Sequence, residues 1–365
     1  MQYVIIGCGS RGMTYGLWAK EHGIQIAAIA ECRPDRLQHA GTALNVPENM
    51  RFSDAAQLLS LGKIADAAII ATMDRDHYGH VMQALDRGYD ILLEKPISPD
   101  ARECVEIEAK ANALGRKITV CHVLRYTAFF QNLKDIIDSG ELGKVVAGKH
   151  AENIGNFHMA HSFVRGNWRN TKETSPMILQ KSCHDMDIIL WLMGKDCKRV
   201  HSFGSLRHFN ADNAPEGAPE RCLDGCPHAG KCPYYAPKLY MDMNKTGWPV
   251  DVITTDLSEE GRRKALEEGP YGRCVYRCDN DVVDRQVVNM EFEGGAVATF
   301  PMTAFSADFS RQLKIFGTQG QIEANMGTGE IVLYRFGEEK RVIPLDMDGE
   351  ASGHGGGDFG IMRDF

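Results

Sequence analysis

Nearly continuous apolar runs alternate with helical spacings through the first third of the chain. Residues 4–6, 24–30, 67–71, 91–93 and 118–120 read as strands, while 54–61, 80–87 and 99–114 carry helical periodicity and good helix formers. Apolar strands bounded by helices predict a parallel sheet covered on both faces, hence an α/β, doubly wound Rossmann arrangement.

The pattern changes near residue 121. Residues 129–139 predict a helix closed by Gly140, and a strand begins over 145–150. Later runs at 286–292, 296–300, 311–316 and 331–335 are separated by Glu293-Gly294-Gly295 and Gly317-Thr318-Gln319-Gly320, which suits an antiparallel meander. The reading is therefore a dinucleotide-binding domain over 1–121 and an α+β domain over 122–365 with an open, mainly antiparallel sheet. Between about 205 and 280 the sequence is rich in Pro, Gly, Cys and charge without sustained periodicity. A loop of that length inside a compact domain needs a staple. A helix that begins after Gly355-Gly356-Gly357, just before Phe365, leads us to expect that a C-terminal portion is missing.

The length of 365 residues fits two domains, and 41 lysines and arginines against 49 acidic residues give a formal charge of -8, which offers nothing to a nucleic-acid backbone. No apolar run reaches the roughly 18 residues that span a bilayer, and Met1 leads straight into a strand without a basic leader, so a cytoplasmic protein is expected. Of eleven cysteines, Cys8, Cys32, Cys104, Cys121, Cys183 and Cys197 are scattered among mostly apolar neighbours, where a free thiol behaves as a small hydrophobe. The other five are clustered.

Gly7-Cys8-Gly9-Ser10-Arg11-Gly12 places Gly-x-Gly-x-x-Gly directly after the first strand. The first glycine permits a tight turn, the second lets the backbone approach a pyrophosphate, and the third lets the helix pack closely. Glu31 ends the second strand 19 positions beyond Gly12, where a carboxylate accepts hydrogen bonds from ribose hydroxyls and repels a 2'-phosphate. NAD is favoured, although Arg33 and Arg36 leave NADP open.

Ala68-Ile69-Ile70-Ala71-Thr72 with His77, then Ala84 to Gly88, then Leu92-Leu93-Glu94-Lys95-Pro96, together with the glycine turn, resemble the Gfo/Idh/MocA family of nicotinamide-dependent oxidoreductases. The resemblance implies a nucleotide site using Thr72, His77, Glu94 and Lys95, with Lys95 orienting a substrate hydroxyl at the carboxyl edge of the sheet. A second landmark is the stretch from Ser175-Pro176 through Gln180, Lys181, Cys183, His184, Asp185 and Asp187 to Gly194, expected as one helix. Leu179, Cys183, Met186, Leu190 and Met193 would form its core stripe, and Gln180, His184 and Asp187 a polar stripe facing a cleft. His184 to Asp187 is similar to the family's His-x-x-Asp segment, whose histidine accepts a proton. The family commonly has an aspartate four residues earlier, where this chain has Gln180, so the relay would run through Asp187 or Asp185, with Lys181 as a second cation.

Further candidates are His122, Arg125 and Tyr126 after the last strand of the first domain, and the segment carrying His158, His161, Arg165, Trp168 and Arg169. Aromatic faces stack on sugar carbons while the polar groups read hydroxyls, although the same residues would serve an interdomain contact. His354 to Asp358 reads either as a closing loop or as a linker. Cys222-x3-Cys226-x5-Cys232 and Cys274-x3-Cys278 suggest a structural zinc, an iron-sulfur centre, or unliganded thiols or disulfides, with His228 nearby. The expected activity is NAD-dependent oxidation of a sugar, polyol or keto-sugar. Elimination, epimerisation or glycoside cleavage with retained NAD, and a nonenzymatic NAD and sugar sensor, remain alternatives. The family resemblance further implies a homodimer or homotetramer.

Overall fold

Val4, Ile5 and Ile6 are fully buried because parallel strands flank them on both sides. The computed structural model describes residues 1–345 and 353–365. Its strands β1 (Gln2–Ile6), β2 (Gln25–Ala30), β3 (Arg51–Phe52), β4 (Ala67–Ile70), β5 (Asp90–Leu93) and β6 (Ile118–Val120) form one parallel sheet in the order β3-β2-β1-β4-β5-β6. The order reverses between β1 and β4, the switch point outside whose strand ends ligands bind in such sheets. One face packs Tyr3, Ile5, Tyr15, Trp18 and Leu92; the other packs Val4, Ile6, Leu58, Val81 and Ile107. Asp54 and Asp100 cap the helices Ala55–Ser60 and Ala101–Leu114 by accepting from backbone N–H groups. The helix Gly357–Asp364 returns to this unit and buries Ile361 and Met362 in its first core.

The second unit spans residues 128–346. Its strands are β7 (Val145–Asn153), β8 (Cys197–Ser205), β9 (Arg285–Phe292), β10 (Val297–Thr303), β11 (Ser310–Gly317), β12 (Gly320–Asn325), β13 (Glu330–Arg335) and β14 (Arg341–Ile343). They form one sheet in the order β14-β13-β12-β11-β7-β10-β9-β8. The expected meander holds from β11 to β14 and from β8 to β10, but β7 lies between the two blocks. It pairs antiparallel with β11 and parallel with β10, so the sheet is mixed at its centre. A strand that joins two hairpin blocks from a distance leaves no mark in local periodicity. Along β7 the inward side chains include His150 and Glu152, both buried.

Between β8 and β9 the chain forms only short helices, the longest being Glu259–Glu268. No helix among the described residues is long and apolar enough to cross a membrane.

Candidate active site

In the first unit, the glycine turn leaves room in one place and none in two others. A Cβ at Gly7, where φ is +92°, would lie 2.5 Å from the Ala71 carbonyl oxygen, and one at Gly12 would lie 2.0 Å from that of Gly7. At Gly9 the nearest atom is Arg36 Nη1 at 3.5 Å, so the backbone there stays approachable. Gly9 precedes the helix Ser10–Glu21, whose first N–H groups receive no side-chain cap from it. Free amides at a helix start favour an anion. Glu31 is buried beside this turn, with Oε2 accepting from Cys8 N–H at 2.9 Å and Oε1 from Arg33 N–H at 3.0 Å. The Arg33 guanidinium pairs with Asp35 at 2.6 Å.

At the carboxyl edge of β4 and β5, fully buried His77 bridges two loops, its Nδ1 lying 2.8 Å from the Pro96 carbonyl and its Nε2 3.2 Å from that of Thr72. Thr72 Oγ1 meets His80 Nδ1 at 3.2 Å. His77 therefore braces the loop carrying Thr72 against the one carrying Lys95. Glu94 is buried and accepts from Arg11 Nε at 2.8 Å, Tyr15 Oη at 2.6 Å and Lys95 N–H at 3.1 Å. Burial opposes its charge, yet Arg11 and Lys95 hold its carboxyl below the usual range. Arg11 also grips Asp358 of the C-terminal helix through Nη1 and Nη2, at 2.9 and 2.6 Å. His354 Nδ1 lies 3.1 Å from Asp358 Oδ1, so this segment is tied to the glycine turn. Arg11 of the glycine turn thus clamps Glu94 and Asp358 together. Arg125 and Tyr126 share the turn Val123–Tyr126, and Tyr126 Oη donates to Asp364 at 2.8 Å.

In the second unit, the stretch expected as one helix is two, Met177–Gln180 and Cys183–Met193, broken at Lys181 and Ser182. The break changes the buried face. Asp185, Ile188, Ile189 and Leu192 point inward at i, i+3, i+4 and i+7, whereas Leu190 of the expected core stripe is exposed. Gln180 and His184 no longer share one continuous helix. His184 is buried and Asp187 half-buried. Asp185 takes both Arg311 Nε at 2.7 Å and Nη2 at 3.2 Å, and His150 Nε2 at 2.6 Å. Despite burial, Arg311 and His150 hold the Asp185 carboxyl well below the usual range. Arg311 Nη2 and Ser182 Oγ each donate to Glu152 at 2.9 Å, and Lys181 Nζ lies 3.5 Å from Glu152 Oε1. Glu152 and Arg311 were missed from sequence; continuing the alternation of β7 past His150 is the signal that would have found Glu152.

Gln180 Nε2 donates to the Trp168 carbonyl at 2.7 Å. Arg169 binds Asp279 at 2.8 Å through Nε, a clamp between loops. His161 sits in a buried π-helical stretch, Met159–Arg165, with Nδ1 2.8 Å from Tyr240 Oη and its ring stacked on Tyr271. Burial and nearby Arg165 push its pKa down to about 3, so it is neutral. His158 meets the edges or faces of Trp248 and Phe309, each with ring centres 5.0 Å away. Trp248 was invisible in an aperiodic segment.

The expected zinc centre is not supported. Among the described residues no three His, Cys, Asp or Glu side chains gather as a set able to hold a metal ion, and no disulfide joins Cys222, Cys226, Cys232, Cys274 and Cys278. Cys222 belongs to a small apolar cluster with Ala236, Tyr240, Leu266 and Tyr271, whereas Cys274 and Cys278 pack into the main core. Buried arginines staple the insertion instead. Arg165 donates to the carbonyls of Arg273 at 2.7 Å and Tyr234 at 2.6 Å. Fully buried Arg262 donates to those of Leu257, Tyr240, Asp242 and Lys245. One guanidinium satisfying four carbonyls does for loop backbone what a metal would do through side chains.

Residues 1–122 match the oxidoreductase family's NAD-binding Rossmann fold, and residues 134–350 its C-terminal alpha/beta domain. A putative oxidoreductase YteT of Bacillus subtilis (strain 168) is 28% identical over 341 residues, covering 88% of this chain and 76% of its own. An inositol 2-dehydrogenase of Burkholderia ambifaria is 25% identical over 199 residues; this chain spans 55% of that protein's length, and the match covers 54% of this chain. The structure of an inositol dehydrogenase homolog from Azotobacter vinelandii, complexed with NADH and myo-inositol, superposes with a TM-score of 0.70 at 16% identity, covering 99% of this chain and 84% of that one. With both of its domains matched, the chain belongs to the Gfo/Idh/MocA family of NAD-dependent oxidoreductases.

Proposed function

We propose that this protein is an NAD-dependent dehydrogenase that oxidises a secondary hydroxyl of a polyol or sugar. The observation that carries the reading is Glu31, buried and fixed by two backbone N–H groups next to the approachable Gly9. Bound there, NAD would supply the hydride acceptor. Gly7, Gly9, Ser10, Arg11 and Gly12 form the turn that would hold its pyrophosphate, and Glu31 would accept from the ribose hydroxyls. Because Arg33 is engaged by Asp35, the charge facing a 2'-phosphate would be the Glu31 carboxylate. Lys95 would orient the reacting hydroxyl and stabilise the developing alkoxide. His184 would accept its proton, with Asp187 fixing the ring. Arg125, Tyr126, His158, His161, Trp168, Arg169, Gln180 and Lys181 are the proposed substrate-side groups. Relatives named inositol 2-dehydrogenase, and a structural neighbour holding myo-inositol, support a polyhydroxylated substrate.

The test is NADH formation at 340 nm across inositols, linear polyols, aldoses and glycosides. Lys95→Ala and His184→Ala should each lower turnover by at least about 10²-fold with NAD affinity little changed. Near-normal turnover in His184→Ala, with loss in Lys181→Ala, would move the base to the lysine.

A further inference from the structure

Glu152 is a carboxyl that neither the nucleotide floor nor the proposed hydride transfer uses, yet it meets both residues of the helix break that precedes His184. It is inaccessible to solvent on β7. Beside Met302 of β10, its neighbour in register, the surrounding elements present polar groups. Arg311 on β11 donates to Oε1 and Ser182 to Oε2, both at 2.9 Å. Lys181 Nζ lies 3.5 Å from Oε1, itself nearly buried. Asp185, on the first turn of the helix Cys183–Met193, shares Arg311 Nη2 with Glu152, and His150, two positions back along β7, bonds Asp185. Because Asp185 takes the guanidinium on two nitrogens, Glu152 receives only the remainder. For a carboxylate and an ammonium held together out of water, burial narrows the gap between ion pair and neutral pair, because the neutral pair relieves the burial of two charges.

We propose that Glu152 and Lys181 share one proton, Glu152 acting as the positioning residue that decides whether Lys181 is protonated while a substrate hydroxyl is oxidised. The transfer breaks an N–H bond at Lys181 Nζ and forms an O–H bond at Glu152 Oε1. An ion pair becomes a neutral pair, and no electrons leave either group. The amine so formed is a second acceptor, beside His184, for the one proton that oxidation releases; taking it up restores the ammonium. Burial and the adjacent Asp185 charge push the Glu152 carboxyl up to about 7, which lowers the cost of placing a proton on it. The ring of Phe309, 4.9 Å from Lys181 Nζ, favours the charged lysine in the resting state. The catalytic half of this inference rests on the proposed dehydrogenase reading; the shared proton does not.

Carbon-13 NMR of the full-length protein labelled at glutamate carboxyls, with the Glu152 resonance assigned by its loss in Glu152→Gln, tests the pair without any substrate. The midpoint should fall between about 6 and 8 and rise by about one unit or more in Lys181→Met. A midpoint near ordinary glutamate, or one unmoved by Lys181→Met, would overturn the pair. With an oxidised substrate in hand, Glu152→Gln should lower kcat about tenfold and remove an ionisation near neutrality from its pH profile, leaving KM for NAD within about twofold. An unchanged profile would overturn the positioning role. If no polyol or sugar is oxidised by the unmodified protein, the dehydrogenase reading fails while the NMR result stands.

Discussion

Arg11 and Arg311 each hold two buried carboxyls, and the two clusters ionise differently. Around Arg11 the donors are divided: Nε serves Glu94, while Nη1 and Nη2 serve Asp358. Tyr15 and the Lys95 N–H add to Glu94, and His354 adds to Asp358, so both carboxyls are held low; burial opposes Asp358, yet His354 and Arg11 bring it to about 2. Around Arg311, Nη2 donates to both carboxyls, and Asp185 takes Nε as well. Asp185 stays ionised and Glu152 is pushed to about 7 by burial and by Asp185 itself. The number of charges is not what separates a clamp from a proton-storing site. Whether burial and a neighbouring acid outweigh the donors that face each carboxyl is.

Removing each arginine tests the comparison most severely. Arg311→Met leaves two carboxyls buried without their guanidinium and should cost about 3–5 kcal/mol in urea unfolding. Arg11, whose side chain is 26% exposed, should cost about 1–2 kcal/mol when changed to Met, because water reaches the guanidinium itself. Equal losses would erase the distinction. A smaller effect should appear in pH dependence. Glu152 is raised from 4.5 to about 7, so the folded chain holds the extra proton, and its contribution falls as pH rises from about 4.5 through about 7. Asp358 is lowered from 3.8 to about 2, so its contribution is present above 3.8 and is lost as pH falls toward 2. Against Glu152→Gln, the unmodified protein should lose on the order of 2 kcal/mol between about pH 5 and 8; against Asp358→Asn it should gain on the same rise from about pH 2 to 5. Slopes of the same sign would merge the two clusters into one kind. The smallest effect belongs to the floor above the Arg11 clamp. Glu31→Gln should narrow the preference for NAD over NADP about tenfold, or about 1.4 kcal/mol, in calorimetric titration. Tenfold tighter NADP binding to the unmodified protein would remove Glu31 from the site.

This division also marks what could be read from sequence. The glycine turn, the carboxylate closing β2 and the Glu94-Lys95-Pro96 edge are short contiguous segments, and their geometry follows from the strand ends that carry them. Glu152 and Arg311 lie 159 positions apart and meet only because β7 pairs with β11, which no local pattern announces. The helix carrying His184 was legible as helix-forming sequence, but its break at Lys181 and Ser182 was not, since neither residue is a strong breaker. The clustered cysteines suggested a metal because thiols at short spacing are a familiar ligand pattern. The actual staples, Arg165 and Arg262, are single side chains whose work is set by the carbonyls that converge on them.

The helix Gly357–Asp364 has a consequence for how the protein comes into being. Residues 1–127 carry every strand of the parallel sheet, yet Asp358, the second partner of Arg11, is synthesised only after the whole of the second unit. At roughly 5–20 residues per second, the intervening chain takes on the order of ten to forty seconds to synthesise. Through that interval the nascent parallel sheet waits with half of its clamp, and the second unit is made before the residue that closes it.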